Sequence, residues 1–416
     1  MAKDKKKVSQ PVEQQRQKKI VKFNVEPQPE TPKRKRPFIW LIVVFAVVCL
    51  LAVGYLFVQK QKTFNDFEVL SRVESTDPTQ MSYLAFNGSL IKYSREGISY
   101  LDRNGNAVWV ESYKMKQPKV VISGEYVAVA DLNGNSVYIF NTAGKVNSME
   151  VPYTICNLDV ADQGVFAVVL ENETENYIEL YNKQGDKLVD ILTTIADGGY
   201  PLDIALSNDG TKLITSYITV EGITIRNSIA AYNFGDVGQN ETDRLVGGFN
   251  NLENTLVSKV EFLNNDTVCA FGDDRFIYYS MREKPSEKCE INAFQEEIES
   301  IFYNSHFVGI VEKKKDDPNS LYRLRVFDLN GKERFSKGLD FTYQNIYATE
   351  DEIIVVGNSE SRIYDFLGNL KFSYAFSKEI KNIVPTGSPL KYIVVYDDAT
   401  EVIKLQYTRE ETEEAQ

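Results

Sequence analysis

A six-residue pattern recurs along most of this sequence: an aromatic or apolar pair, then Asp or Asn, then glycine three residues on. It reads Tyr100-Leu101-Asp102-Arg103-Asn104-Gly105, Ile139-Phe140-Asn141-Thr142-Ala143-Gly144 and Leu180-Tyr181-Asn182-Lys183-Gln184-Gly185. It returns as Val326-Phe327-Asp328-Leu329-Asn330-Gly331 and Ile363-Tyr364-Asp365-Phe366-Leu367-Gly368, with degenerate copies at Ala231-Tyr232-Asn233 and Tyr278-Tyr279-Ser280. The anchors at 102, 141, 182, 233, 280, 328 and 365 are spaced by 39, 41, 51, 47, 48 and 37 residues. Between them lie short runs of Val, Ile, Tyr, Phe and Thr alternating with polar residues, such as Tyr126-Val127-Ala128-Val129-Ala130 and Ile353-Ile354-Val355-Val356. Four such strands per unit, at a period of roughly 40–50 residues, predict a β-propeller. One four-stranded sheet cannot cover both its faces, so the units must stack radially on their neighbours. Asp or Asn closes each hairpin with its side chain, and Gly accepts the positive φ that the turn needs.

The two ends fix the count. Lys391–Asp397 and Val402–Tyr407 supply strands of an eighth unit, after which the chain runs out into the acidic segment 409–416 with no fourth strand. At the other end Phe67-Glu68-Val69-Leu70-Ser71-Arg72-Val73 is a strand without a unit. An open ring would expose unpaired edges. Residues 66–74 are therefore expected to close the last blade, giving an all-β, eight-bladed propeller over 66–408, with seven blades as the alternative.

Ahead of this domain, residues 38–58 form a run of 21 residues without a charge. As a helix they would span about 30 Å, the thickness of the hydrocarbon layer. Trp40 and Tyr55 stand near the ends, where amphipathic rings favour the interface. Lys33-Arg34-Lys35-Arg36 precede the run, and only Lys60 and Lys62 follow closely. That asymmetry predicts an uncleaved plasma-membrane anchor with a cytoplasmic N-terminus and an extracytoplasmic propeller. The run is longer than the apolar stretch of a cleaved signal peptide. Residues 1–37, rich in Lys, Gln and Pro, read as a disordered basic tail that rests on anionic lipid. Residues 59–65 read as a linker.

Charge divides at the anchor. Residues 1–37 carry a net +8 and residues 59–416 a net −20. So acidic an outer domain excludes a nucleic-acid footprint. The basic tail has only Phe23 as an interleaved aromatic, so it is not read as a nucleic-acid binder either.

Ser207-Asn208-Asp209-Gly210-Thr211-Lys212-Leu213 resembles the turn between the first two strands of WD-type repeats. Asn104-Gly105-Asn106-Ala107-Val108-Trp109 resembles the glycine-to-tryptophan stretch of quinoprotein-like blades. Trp109 is the only Trp outside the apolar run, and the Trp-Asp dipeptide is absent. The resemblance thus implies the fold and no quinone; no cofactor is expected. The whole layout resembles an uncharacterised family of bacterial single-pass membrane proteins with a propeller-like outer domain of unknown function.

The chemistry-bearing residues are sparse. His306 is the single histidine, so multi-His zinc sites are excluded, and it lies in a turn, Asn304-Ser305-His306. Cys49 falls in the anchor. Cys269 and Cys289 fall on the second and fourth strands of one blade, beyond disulfide reach. Asp102–Asn106, Asp131–Asn135 and Asp328–Gly331 read as hairpin turns, because the calcium-loop pattern of further oxygen ligands and a distal Glu is missing.

Channel residues come from the first strand of each blade. Aligning those strands brings Asp159, Asp203, Lys259, Asn345 and Asn382 to the channel, with Tyr83, Val120 and Ser300. Asp159 and Asp203, from adjacent blades, are the candidate acid/base pair for a carbohydrate-active enzyme. The leading expectation is instead a non-enzymatic binding or scaffold module for a protein or envelope component, with a ligand sensor as a further alternative. The insertions Val237–Gly248 and Lys313–Asn319 are its expected partner surfaces.

Overall fold

The computed structural model describes residues 44–49 and 63–408, except 76–79, 195–197, 251, 253–254, 293, 295 and 315–318. The basic tail 1–37, most of the anchor 38–58 and the acidic segment 409–416 lie outside the described residues. Residues 44–49 are helical, with Val44, Phe45, Val47 and Val48 exposed. No helix among the described residues is long and apolar enough to cross a membrane.

Residues 66–406 form eight four-stranded antiparallel sheets. Seven blades are each built from four consecutive strands: 82–112, 118–150, 154–194, 200–249, 257–291, 298–339 and 343–375. The eighth takes Ile380–Pro385, Lys391–Tyr396 and Ala399–Gln406, and its outer strand is Asp66–Glu74. The count is eight, and the first strand of the domain closes the last blade. Within each blade the middle strands are the most apolar. Tyr126–Asp131, Phe166–Glu171, Thr267–Gly272 and Glu352–Gly357 are buried almost throughout, as strands covered on both faces must be. Their side chains form clusters that straddle blade boundaries, such as Ala205, Ile214, Val260 and Tyr279 between the fourth and fifth.

The repeated turn works as its residues suggest. Asp102 Oδ1 accepts the backbone N–H of Asn104 and Asn106 at 2.8 and 2.9 Å, and Gly105 takes φ +83°. Asn182, Asp328 and Asp365 accept the equivalent pair of N–H groups.

The closing strand pairs from Asp66↔Gln406 to Glu74↔Ala399, with an irregularity between Val69 and Ser71. Arg72 binds Glu401 at 2.5 Å and Asp398 at 3.1 Å. Phe67 sits 4.8 Å from the Tyr374 ring and 5.6 Å from Phe376. Part of the expected linker belongs to the domain. Phe64 bridges to Phe372 in the seventh blade, its N–H donating to Lys371 O at 2.7 Å and its carbonyl accepting from Ser373 N. The linker reading 59–65 ignored Phe64 because a lone aromatic gives no strand period.

One ion cluster lies inside the sixth blade. Arg325, almost fully buried, binds the wholly buried Glu312 at 3.1 Å and Glu333 at 2.6 Å. Its guanidinium also lies 4.9 Å from the Phe327 ring centre.

All four cysteines are free. Cys269 and Cys289 both pair with Tyr278, one from each side, so a whole strand separates them. Burial pushes the Cys269 thiol well up. Mass spectrometry of non-reduced peptides is expected to find no Cys269–Cys289 crosslink; finding one would break the strand order of the fifth blade.

Candidate functional site

The inner strands of the third to eighth blades share a device. Each carries one irregularity at its start: Ile155/Asn157, Pro201/Asp203, Val257/Lys259, Ile298/Ser300, Tyr343/Asn345 and Ile380/Asn382. An extra residue there re-aims the side chain that follows. Asn157, Asp203, Lys259, Ser300, Asn345 and Asn382 thus occupy equivalent positions. Two residues on, and so on the same face, come Asp159, Ala205, Glu261, Phe302, Tyr347 and Val384. The second blade has no such irregularity at its inner strand, where Lys119 pairs squarely with Ala130. Its frame is shifted, and Lys119 joins Val120 at the channel.

Lys119, Asp159, Asp203, Lys259 and Glu261 line one side of a central cavity of 490 Å3, and Tyr83, Asn345, Tyr347 and Asn382 the other. The charged side is ordered as a chain. Lys119 Nζ donates to Asn157 Oδ1, and Asn157 Nδ2 donates to Asp203 Oδ1 at 2.7 Å. Asp203 Oδ2 accepts the backbone N–H of Val260 at 2.9 Å. Asp159 Oδ2 accepts that of Leu206 at 2.7 Å. Each carboxylate therefore straps its blade to the next by the residue one beyond its own equivalent. Glu261 Oε2 accepts from Tyr303 OH at 2.6 Å and holds Lys259 at 3.1 Å. Asn382 Nδ2 donates to Tyr83 O at 3.1 Å, which ties the eighth blade to the first.

The cavity perturbs its acids and bases. Burial, then the Glu261 charge, raises the Asp159 carboxyl to about 7, against the hydrogen bonds from Leu206 and Val160. Burial lowers the Lys119 ammonium despite the Asp203 charge. Burial works against Lys259 too, yet Glu261, Tyr303 and Asp203 together raise it above the ordinary lysine value. Burial and Glu261 hold the Tyr303 phenol well above its usual range.

All five expected channel residues line this cavity. Asp159 and Asp203 do not form a level pair, however, since Asn157 is the equivalent of Asp203. Asp203 has both oxygens engaged. His306 lies in an exposed turn, its Nδ1 2.6 Å from Ser305 Oγ. That hydroxyl donates to Glu350 at 2.6 Å. The carboxylate thus holds the serine directly, where a triad would have it orient the histidine.

The two ring faces differ. Residues 63–65 join on the face of the first-to-second and third-to-fourth strand turns, where Asn65 and Thr408 exchange hydrogen bonds. From the opposite face projects a hairpin of the fourth blade, Lys212–Glu221 and Thr224–Asn233, whose two strands are the longest among the described residues. Beyond Tyr200↔Ile218 and Ile229↔Phe249 neither of its strands has an outer neighbour. Val220 and Ile225 pair on one side of it and Ile223 caps it, at 70%, 64% and 102% exposure. Tyr153, Leu192, Leu256 and Leu321 are exposed on the same face, in the third, fifth and sixth blades.

A family of unknown function, DUF5711, matches residues 60–405. The chain belongs to DUF5711. No curated protein matches it in sequence. Among solved structures it is similar to Sqt1 of Saccharomyces cerevisiae, at 12% identity and TM-score 0.55, over 83% of this chain and all of that one. Sqt1 of Chaetomium thermophilum bound to the N-terminus of ribosomal protein L10 gives 9% and 0.54, over 82% of this chain and all of that one. BamB of Moraxella catarrhalis gives 11% and 0.49, with the same coverages. At these identities the likeness to the two Sqt1 structures shows the propeller fold of the DUF5711 chain and nothing of its ligand.

Three features of this DUF5711 domain escaped the sequence reading. Lys119 was hidden by the missing irregularity of the second blade. Glu261 was two residues from the aligned Lys259, on the same face. The hairpin left a signal that went unused: Ile218–Asn227 alternates apolar and polar residues around Glu221-Gly222 for longer than a blade needs. Of the expected insertions, Asp236–Gly238 and Thr242–Arg244 are short 3-10 turns. The centre of Lys313–Asn319 lies outside the described residues.

Proposed function

We propose that this chain is a membrane-anchored binding module. Residues 38–58 hold it in the plasma membrane, the tail 1–37 is cytoplasmic, and the propeller stands outside. There its free face docks a protein or envelope component. The observation that carries the reading is the hairpin of the fourth blade, with Val220, Ile223 and Ile225 exposed on the face opposite the one where the chain joins. Large apolar groups at the tip of a two-stranded projection cost solubility and are kept where a partner covers them. The channel favours binding over catalysis. Asp203 is committed to holding blades together, and the carboxylate level with Asp159, Glu261, is paired with Lys259 and Tyr303. The propeller fold itself suits display of loops on a rigid ring.

One labelling experiment tests anchor orientation and docking together. In intact, wall-stripped cells an Ile223→Cys chain is expected to react with a membrane-impermeant maleimide photocrosslinker, over the background of the unsubstituted chain. On illumination it should yield one discrete adduct. The same substitution at Glu125, on the other face, should label equally and give no such adduct. No labelling at either position would overturn the orientation, and equal adduct patterns would overturn the choice of face.

A further inference from the structure

We infer that the central channel binds a small zwitterion of the amino-acid or short-peptide class, its ammonium seated between Asp159 and Glu261 and its carboxylate on Lys119. The inference stands apart from docking at the hairpin face.

Three observations carry it. The first is Lys119. Its ammonium opens on the 490 Å3 cavity and donates to a neutral acceptor, Asn157. Asn157 Oδ1 also accepts from Leu158 N, and its amide is spent on Asp203, so the group is fixed in this orientation. No ion pair reaches Lys119 among the described residues; Asp203, Asp159 and Glu261 act on it only through space. A half-buried ammonium with no carboxylate in direct contact is a place for one to bind.

The second is the acid pair. Asp159 and Glu261 occupy equivalent positions on the third and fifth blades, on the same channel wall, and each repels the other's charge. Asp159 uses one oxygen on Leu206 N. Glu261 uses one on both Tyr303 and Lys259. Asp159 also takes a hydrogen bond from Val160 N, and Glu261 keeps its second oxygen for a ligand. A primary ammonium between them relieves the repulsion and pairs with both carboxylates.

The third is the opposite wall. Tyr83, Asn345, Tyr347 and Asn382 are uncharged, and Asn345 is exposed to the cavity. A neutral backbone between the two charged ends of a ligand would lie against these residues. A cavity of this size suits an amino acid to a short peptide. The groups facing Asp159 are Lys119 from the second blade, Asp203 from the fourth, and Lys259 and Glu261 from the fifth, with Tyr303 behind them. Of these, Asp159 is the one brought to about 7, so the site should need it ionised.

The test is calorimetric titration of the purified full chain in detergent with glycine, glycylglycine and triglycine, in which the two charges stand progressively farther apart. At least one should bind saturably. Its N-acetylated form, without the ammonium, and its amide, without the carboxylate, should each bind at least about tenfold more weakly. Lys119→Gln should weaken the zwitterion by a similar factor and leave the amide's binding unchanged. Glu261→Gln should weaken both the zwitterion and the amide. Wild-type affinity should fall as pH drops through about 7, where the Asp159 carboxyl takes up its proton. Asp159→Asn should bind weakly at every pH and lose that dependence. Melting curves establish that each variant is folded. An absence of saturable heat with all three probes overturns the inference. So does equal binding of parent and blocked forms, or unchanged affinity in folded Lys119→Gln and Glu261→Gln chains.

Discussion

A chain truncated to begin at residue 76 is expected to aggregate, or to melt far below one that begins at residue 60. The missing strand pairs with the eighth blade at eight positions, from Asp66↔Gln406 to Glu74↔Ala399. Backbone hydrogen bonds of such a ladder contribute about 0.5–1.5 kcal/mol each. Burial of Phe67 against Tyr374 and Phe376 adds roughly 1.5 kcal/mol. Val69 and Leu70 add little, because both face solvent. That is a departure from the simple alternation of the sequence, imposed by the irregularity between Val69 and Ser71. Together these terms reach about 5 kcal/mol, a large share of the 5–15 kcal/mol that holds a typical domain folded. Thermal melts of the two truncated chains are the check. Equal midpoints would mean that the outer strand is dispensable and the ring closes by other contacts.

Arg325→Met is expected to cost about 3–5 kcal/mol, because it takes the guanidinium away from a carboxylate, Glu312, buried in the core of the sixth blade. Glu312 has no exposed surface and binds Arg325 at 3.1 Å. Replacing both partners, Arg325→Met with Glu312→Leu, should recover most of the loss, since two apolar side chains of similar volume carry no desolvation penalty. Urea unfolding of the two single variants and the double variant measures the coupling. Additive losses would mean that the pair does not act as a unit.

The fold was legible because its signal is periodic and local. Each Asp/Asn-to-Gly turn marks the same corner of a blade, and the orphan strand 66–74 had one place to go. The channel was legible only in part. Aligning the first strands set Asp159 level with Asp203, whereas the inner-strand irregularities make Asn157 the equivalent residue. A slip of two keeps the channel face, so the residue was found and its neighbours were mistaken. A frame shift of one, as in the second blade, hid Lys119 altogether. Such irregularities are fixed by backbone geometry at a sheet's end and have no residue signature comparable to Asn-Gly. The closing contact of Phe64 depends on the surface of the seventh blade, which a local pattern cannot show.

The strand that completes the ring is the first part of it to be synthesised. Asp66 must wait for Gln406, about 340 positions later, before it finds its partner. Such a distant pairing is slow, because the loop must close before any contact rewards it. Until then blades one to seven can stack only as an open arc, and residues 66–74 are a bare strand able to pair with any other edge. The charges of Glu68, Arg72 and Glu74 and the kink at Val69–Ser71 make that strand a poor template for a neighbouring chain. The order of synthesis and the order of assembly thus run opposite to one another, and the nascent domain is most exposed to misassembly just before its last blade is made.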